Sequence, residues 1–570
     1  MVNKKLLTVS LAAAMLAVTA SACGGNNNND EPKSSNTGNS GNAANASTSP
    51  EAEDKTPVTF SYYSFTSQKD TMASDTVIGK ELQNQTGVDW KMEFLVGDPQ
   101  TKSGVMIASG DYPDVIVPEG EIDKLLDAGA FIPLDDLIEK YGPNIKRVYG
   151  QYFDKFRQAD GKMYFLPFGA NQGYVGDPGI SQGAFWIQRS VLKEAGYPKI
   201  KTLDQYFDLI KQYQEKHPTV DGKGTIGFAS LAGPADSFFS ITNPAMHLAG
   251  YPNDGSVIVD MTTHEAKTYA ATDNEKKWLQ KLNQVNSEGL FDPETFTANK
   301  DQFLAKLTSG RVLGYFNYAW QVGDATNNLM KAGIDEKRYA PLPIVFDENT
   351  KDQYLDPPSF VNNRGIGISV NAKDPERIIK YWDNLLKEEN QVLVQWGVKD
   401  QNYSVDANGR FIMNAQQISD RSDPEKKRSI GWQYFEYSWP RYGNNSVLAD
   451  GNSYAVSNQP EVAYAGYTDG DKALLDAYGA KTFSEYFSKP DERAWYPAWS
   501  INKGQGTPEQ IFEQKASDLQ KKYIPKLVLA KTSDFDSVWN DYVGQMNKLD
   551  VKGYETFITK VVQDRINGKW

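Results

Sequence analysis

Four stretches of this chain gather tryptophan and tyrosine beside Gly, Pro and Asn rather than within apolar runs: "SYYSF" (61–65), "FNYAWQ" (316–321), "GWQYFEYSWPRYGNN" (431–445) and "ERAWYPAWS" (492–500). Sugar rings present a slightly positive C–H face inside a polar rim. Trp and Tyr stack on that face, and Asn, Gln, Asp and Arg hydrogen-bond the hydroxyls. The chain holds 12 Trp and 31 Tyr, so these stretches are part of a broad aromatic supply. Large domains also use such rings in cores. For any one ring the core is the commoner place, but not for the group. Groups suited to bond-breaking chemistry are scarcer. The three histidines, His217, His247 and His264, are far apart and have no partners at metal-ligand spacing. "HEAK" at 264–267 lacks the second His of a zinc protease helix. No nucleophile elbow, Walker loop or dinucleotide-binding turn is expected in this chain. Two carboxylates could hydrolyse a glycoside, but 73 acidic residues nominate no pair.

Cys23 is the only cysteine in 570 residues. Lys4 and Lys5, the apolar run from Leu6 to Ala20, and the small residues Ala20, Ser21 and Ala22 precede it. This is the layout of a secretory signal, and the run is too short for a membrane span. Small residues directly before a Cys, with Gly-Gly-Asn after it, resemble the bacterial lipobox, although Ala20 stands where that motif usually has Leu. The resemblance implies cleavage after residue 22 and lipid on Cys23. The alternative is ordinary cleavage after Ala-x-Ala, which releases a free secreted protein. A lipidated Cys23 leaves the mature chain without a thiol, which excludes disulfides, cysteine metal sites and cysteine nucleophiles. The formal net charge of -13 argues against nucleic acid as a partner.

The elements that would position a site follow a polar tract. Residues 23–56 hold almost no aliphatic bulk and read as a flexible tether, with a root-mean-square span of roughly 30 Å. From Pro57 the pattern is strand ("PVTFSYYSF"), helix ("DTVIGKELQNQTGV"), strand ("DWKMEFLV"), helix ("TKSGVMIASG") and buried strand ("DVIVP"), an α/β layout with a largely parallel sheet. Further helices are expected at 203–217, 274–289 and 375–390, among others, several ending in Gly.

"IASGDYPDVIV" (107–117) is similar to the signature of the extracellular solute-binding proteins of ABC importers, family 1, carbohydrate type. The resemblance continues in order through "GAFIPLDDLIEKYGPNI", "DGKMYFLPFG", "FLAKLTSGRVLGYFNYAW" and "GIGISVNAKDPERIIKYWDNLL". "WGVKDQNYSVDANGRF" (396–411) resembles the W-G-x-x-G-x-x-Y-x-x-D-x-x-G turn of the large Firmicute lipoproteins of that family. The resemblance implies a two-lobed, periplasmic-binding-protein-like α/β fold (type II) with a hinge and an interlobe cleft. One lobe would hold 57–167 plus 361–395 and the other 168–360 plus 396–570, with crossings near 166–169, 343–358 and 388–396. Residues at the carboxyl ends of strands would contact ligand: Tyr62, Tyr63, Phe65 and Glu119. Trp320 matches the family's cleft aromatic, and Asn171 and Gln172 follow the first crossing. Trp186, Trp432, Trp439, Arg441 and Trp495 complete the candidate set. Glu119 could instead only cap a helix, Trp186 lies in an apolar run, and Arg441 could grip a uronate or merely support a loop. Where some relatives carry a calcium loop, "HPTVDGKGTIGF" (217–228) offers one carboxylate, Asp221, so no metal is expected there.

The function implied is capture of an oligosaccharide, such as a plant-wall fragment, for an ABC permease. No catalysis and no cofactor are expected, and the chain would be a monomer held on the extracellular face of the membrane by its lipid alone. The competing readings are a secreted lipoprotein glycoside hydrolase and a receptor for peptides or other non-sugar solutes.

Overall fold

The computed structural model describes residues 54–234 and 238–570. The signal segment, Cys23 and most of the tether lie outside the described residues. Asp54 and Thr56, at the end of the expected tether, already bond the Arg377 guanidinium. Ten strands form two sheets: β1 (Val58–Ser64), β2 (Thr71–Met72), β3 (Val88–Phe94), β4 (Val115–Val117), β5 (Phe165–Pro167), β6 (Gly183–Gln188), β7 (Ile226–Ala229), β8 (Val312–Tyr318), β9 (Tyr339–Leu342) and β10 (Gly365–Ile368). The first sheet has the order β2-β3-β1-β4-β10-β5 and the second β9-β6-β8-β7.

In β1 the side chains alternate between two faces, as a two-residue period requires. Phe60 and Tyr62 join Trp90, Met92 and Phe94 on one face, while Tyr63 joins Phe65, Ile116 and Phe131 on the other. β1 runs parallel to β3 from Val58↔Val88 to Ser64↔Phe94, and parallel to β4 at Tyr62↔Val115. The helix Val77–Thr86 between β2 and β3 starts on the Thr76 side chain, which accepts from the Gly79 amide. It ends at Gly87 with φ 72, where a Cβ would lie 2.2 Å from the Lys55 carbonyl oxygen, so glycine alone fits. In the second lobe the helix Leu203–Lys216 opens on a Thr202/Gln205 capping box and buries Tyr206, Phe207, Ile210 and Tyr213 against the sheet. The helix Asp273–Ser287 is joined to the long helix Pro508–Leu529 by the Asn283 side-chain amide, which donates to the carbonyls of Leu527, Val528 and Ala530.

The chain divides between the two cores differently from the expected boundaries. Residues 396–462 pack into the first core with Phe60, Tyr62 and Trp90, while the second core takes up the chain again at Leu474. The reason is cover for a sheet face. Trp439 lies at 5.1 Å from both Tyr62 (18° between planes) and Trp90, and Phe435 stacks on it at 5.6 Å. The helix Glu388–Trp396, expected to be a crossing, is instead built into this core. The chain passes between the cores in the segments following Ala170, Tyr354 and Val462. The first of these segments is laced to the 441–447 loop by Ala170 N–H to Arg441 O (3.1 Å), Val447 N–H to Gln172 O (2.8 Å) and Val175 N–H to Asn445 O (2.7 Å).

Candidate functional site

The first sheet brings several loop starts to one edge. β1, β3, β4 and β5 all run the same way, so Phe65, Leu95, Pro118 and Phe168 leave the sheet on the same side. β1 has β3 on one flank and β4 on the other, so successive connections depart in opposite directions there. That is the switch point at which open α/β sheets bind ligands. Glu119 sits beside it with φ 49, a strained conformation for a residue with a side chain. One carboxylate oxygen lies 3.8 Å from the Arg364 guanidinium, and the other is buried without a hydrogen-bond partner. Burial pushes the Glu119 carboxyl up, opposed by Arg364. It makes no capping bond to the turn Glu119–Glu121 or to the helix Ile122–Asp127. The helix-cap alternative therefore fails.

Arg364 enters the same edge because it precedes β10, which runs antiparallel. Its Nη1 donates to the Tyr437 hydroxyl at 3.4 Å, and the guanidinium lies 5.8 Å over Trp499 of the second lobe. Tyr437 packs on Phe168 at 5.2 Å on one side and meets the Arg441 guanidinium at 5.7 Å. Asp123, a turn beyond Glu119, feels Lys503 of the second lobe. Burial, with Asp127 nearby, pushes its carboxyl up to about 6, and Lys503 opposes this.

On the second lobe, Trp320 stands in the first turn of the helix Ala319–Lys331, directly after β8, and is 63% exposed. Its ring is flanked at 6.1 Å by both Phe239 and Tyr318. The strand end beneath it is held by Asn317, whose side-chain amide donates to Ser240 Oγ and Gln321 Oε1 at 3.1 Å each. Asp356, on the second crossing, accepts from the Tyr496 hydroxyl at 2.5 Å. Burial, with Asp254 nearby, pushes it up to about 7, and the Tyr496 bond opposes this.

The candidate residues fall into two groups. Glu119 and Trp320 stand at the carboxyl ends of β4 and β8, Trp320 largely exposed and Glu119 mostly buried. Most of the others do not. Tyr62, Trp432 and Trp439 are fully buried in the first core, Trp495 in the second, and a ring enclosed by protein cannot serve as a platform. Trp432 instead carries the Arg421 guanidinium at 4.4 Å. Tyr63 and Phe65 pack edge to face at 5.3 Å on the other face of the sheet. There Tyr63 lines a cavity of about 530 Å³ with Lys102, Met106 and Tyr112. Trp186 stacks along Tyr315 at 6.1 Å, and its indole N–H donates to the Asn317 carbonyl. Asn171 and Gln172 fasten crossings: Asn171 Nδ2 donates to Ser359 O at 3.4 Å, and Gln172 Nε2 to Val148 O at 3.1 Å. Arg441 is turned inward, with Nη1 donating to Asn444 Oδ1 at 2.6 Å and to the Tyr442 carbonyl. The residues that sequence reasoning missed are Arg364, Tyr437, Trp499 and Asp356. Tyr437 and Trp499 lie inside quoted aromatic stretches, two and four residues from the tryptophans preferred there.

Two strings match catalytic motifs by letter, Gly179–Gly183 (G-x-S-x-G) and Gly222–Gly227 (G-x-G-x-x-G). Gly183 opens β6, and Gly222 is the turn of a two-residue hairpin, so neither leads into a helix. That hairpin occupies the place of the calcium loop, with Asp221 at φ 49 and Gly222 at φ 74 as its turn.

The described residues form two cores, each built on its own sheet, and residues 78–393 match the family of bacterial extracellular solute-binding proteins. The chain belongs to that family. It is 26% identical to the fructooligosaccharide ABC transporter substrate-binding protein FusA of Streptococcus pneumoniae over 336 residues, 57% of this chain and 60% of that one. It is 21% identical to the polygalacturonan/rhamnogalacturonan-binding protein YtcQ of Bacillus subtilis over 357 residues, 60% of this chain and 66% of that one. The chain thus spans about 60–66% of the length of the curated relatives it matches. Among solved structures, FusA in complex with kestose superposes with a TM-score of 0.65 at 20% identity, covering 90% of this chain and 100% of that one. Alginate-binding protein AlgQ2 without calcium ion gives 0.63 at 18%, with the same coverage. These superpositions establish the two-lobed type II fold.

Proposed function

We propose that this protein captures an oligosaccharide between its lobes at the extracellular face of the membrane, where Cys23 carries the lipid anchor, and delivers it as a monomer to an ABC permease. The observation that carries the carbohydrate reading is Trp320: a large aromatic ring, 63% exposed, at a strand end braced by Asn317 and Gln321. An exposed indole suits the face of a sugar ring. In this mechanism the ligand first stacks on Trp320. Bending in the crossing segments then closes the lobes, and Glu119 with Arg364 takes up hydroxyls from the other side. The names of FusA and YtcQ, which specify fructooligosaccharide and polygalacturonan, support the substrate class. Calorimetry with a panel of neutral and uronic oligosaccharides, followed by chromatography of the recovered sugar, tests the reading. Saturable 1:1 binding with the sugar recovered intact is expected. Shortened products would establish a glycoside hydrolase, and a response to peptides alone would establish a receptor for another solute.

A further inference from the structure

We infer that the ligand bound between the lobes is an uncharged oligosaccharide rather than a polyuronate, an inference that rests on the carbohydrate reading above. A uronate needs a guanidinium or ammonium with free donors, best offered as a two-pronged fork. Most guanidinium groups around the two strand-end edges are buried within the protein. Arg441 is 7% exposed and bonded to Asn444 and Tyr442. Arg565 is 4% exposed and donates to the carbonyls of Trp495 and Pro497 and to Ser500 Oγ. Arg493 is 6% exposed; its Nε and Nη1 have no hydrogen-bond partner, but they are enclosed by protein beside the buried Asp254 rather than offered to a ligand. Among Arg364, Arg441, Arg493 and Arg565, Arg364 is the exposed one, and Glu119, Tyr437 and Trp499 surround it. The ammonium of Lys503 is 3.2 Å from Glu513 and donates to the Ile501 carbonyl.

Against these stand three carboxylates, Glu119, Asp123 and Asp356, of which only Glu119 has a cation within ion-pair distance among the described residues. Their carboxyls are pushed upward by burial, the signature of negative charge held without enough compensation. The buried oxygen of Glu119 has no partner, and an ionised carboxylate can only accept. A sugar hydroxyl supplies the missing donor. A uronate carboxylate supplies none and adds like charge.

The test uses the full chain and calorimetry at pH 7.5 with trisaccharides of equal length: kestose, cellotriose and xylotriose against trigalacturonate. The expected result is at least tenfold tighter binding of one neutral trisaccharide than of trigalacturonate. Glu119→Gln should weaken the neutral ligand and narrow that gap. Trigalacturonate binding as tightly as every neutral sugar or more tightly, with loss of that binding in Arg364→Gln, would overturn the inference while leaving sugar capture standing. No binding of any trisaccharide would overturn both.

Discussion

Trp320 and Trp439 are both tryptophans of aromatic loops, and the structure gives them opposite consequences when truncated. About a third of the Trp320 ring is covered by protein, roughly 55–90 Å² of a side chain that can bury 150–250 Å². At about 25 cal/mol per Å², Trp320→Ala should cost the fold at most ~2 kcal/mol, an upper bound because the unfolded chain also hides apolar surface. A sugar face laid on the exposed ring removes on the order of 60–100 Å² from water, or ~1.5–2.5 kcal/mol, so the same variant should bind its sugar about 10- to 60-fold more weakly. Trp439 is 0% exposed and fills the space between Tyr62, Trp90 and Phe435. Removing it leaves a cavity in the first core and should cost ~3–5 kcal/mol of stability, with little change in the affinity of the protein that remains folded. Calorimetric affinity and urea denaturation of both variants decide the matter. Wild-type affinity in Trp320→Ala, or a larger affinity loss in Trp439→Ala, would refute the placement of the site at the end of β8.

Other perturbations follow from single residues. Asp356, pushed up to about 7, holds a proton in the folded protein that the unfolded chain has already released above its ordinary range near 3.8. Its contribution to stability is therefore full at low pH and lost as pH rises through 7, at no more than about 1.4 kcal/mol per pH unit. Asp123 adds in the same direction up to about 6. Urea midpoints should fall between pH 5 and pH 8, and Asp356→Asn should flatten that fall; an unchanged slope would remove Asp356 as its cause. Asp400 stands at φ 64 where the family turn has glycine, so Asp400→Gly should raise stability by about 0.5–1 kcal/mol, read as a higher urea midpoint at unchanged slope. Cys23→Ser should move the protein from the membrane fraction to the medium with its sugar affinity intact; retention at the membrane would argue against a lipid anchor on that residue.

The α/β character was legible because it is written in local periods. The alternation of β1, the Thr76 and Thr202 caps and the glycine after the helix Val77–Thr86 are all contacts between near neighbours in sequence. The aromatic stretches misled for the opposite reason. Within "GWQYFEYSWPRY", Trp432 and Trp439 turn into the core and Tyr437 turns out, with 40% of its surface exposed. No residue spacing separates these fates, because they depend on which sheet face lacks cover. The same missing information placed 396–462 in the wrong lobe. Arg364 was invisible in a different way. "VNNRGIGI" reads as a turn entering a strand, and only the antiparallel pairing of β10 with β4 carries that turn to the edge where β4 ends.

Glu119 shows why a site can still be recognised when its residues are ordinary. Its positive φ costs of order 1–3 kcal/mol, and a buried acceptor left without a donor costs a comparable amount. Both costs fall on one residue, and neighbouring residues offered cheaper solutions. Gly120 follows directly and would tolerate the backbone conformation. The next carboxylate, Glu121, is satisfied by the Ser103 hydroxyl and Lys124. Helix capping does not account for Glu119, since it caps nothing, and Arg364 at 3.8 Å offsets its charge without supplying a hydrogen bond to its buried oxygen. On the proposed function, a side chain strained in its backbone, pulled from water and left with an open acceptor at the switch point of a parallel sheet awaits a donor that arrives from outside the protein. A sugar hydroxyl meets that requirement, and closure of the second lobe would bring it there on the face of Trp320.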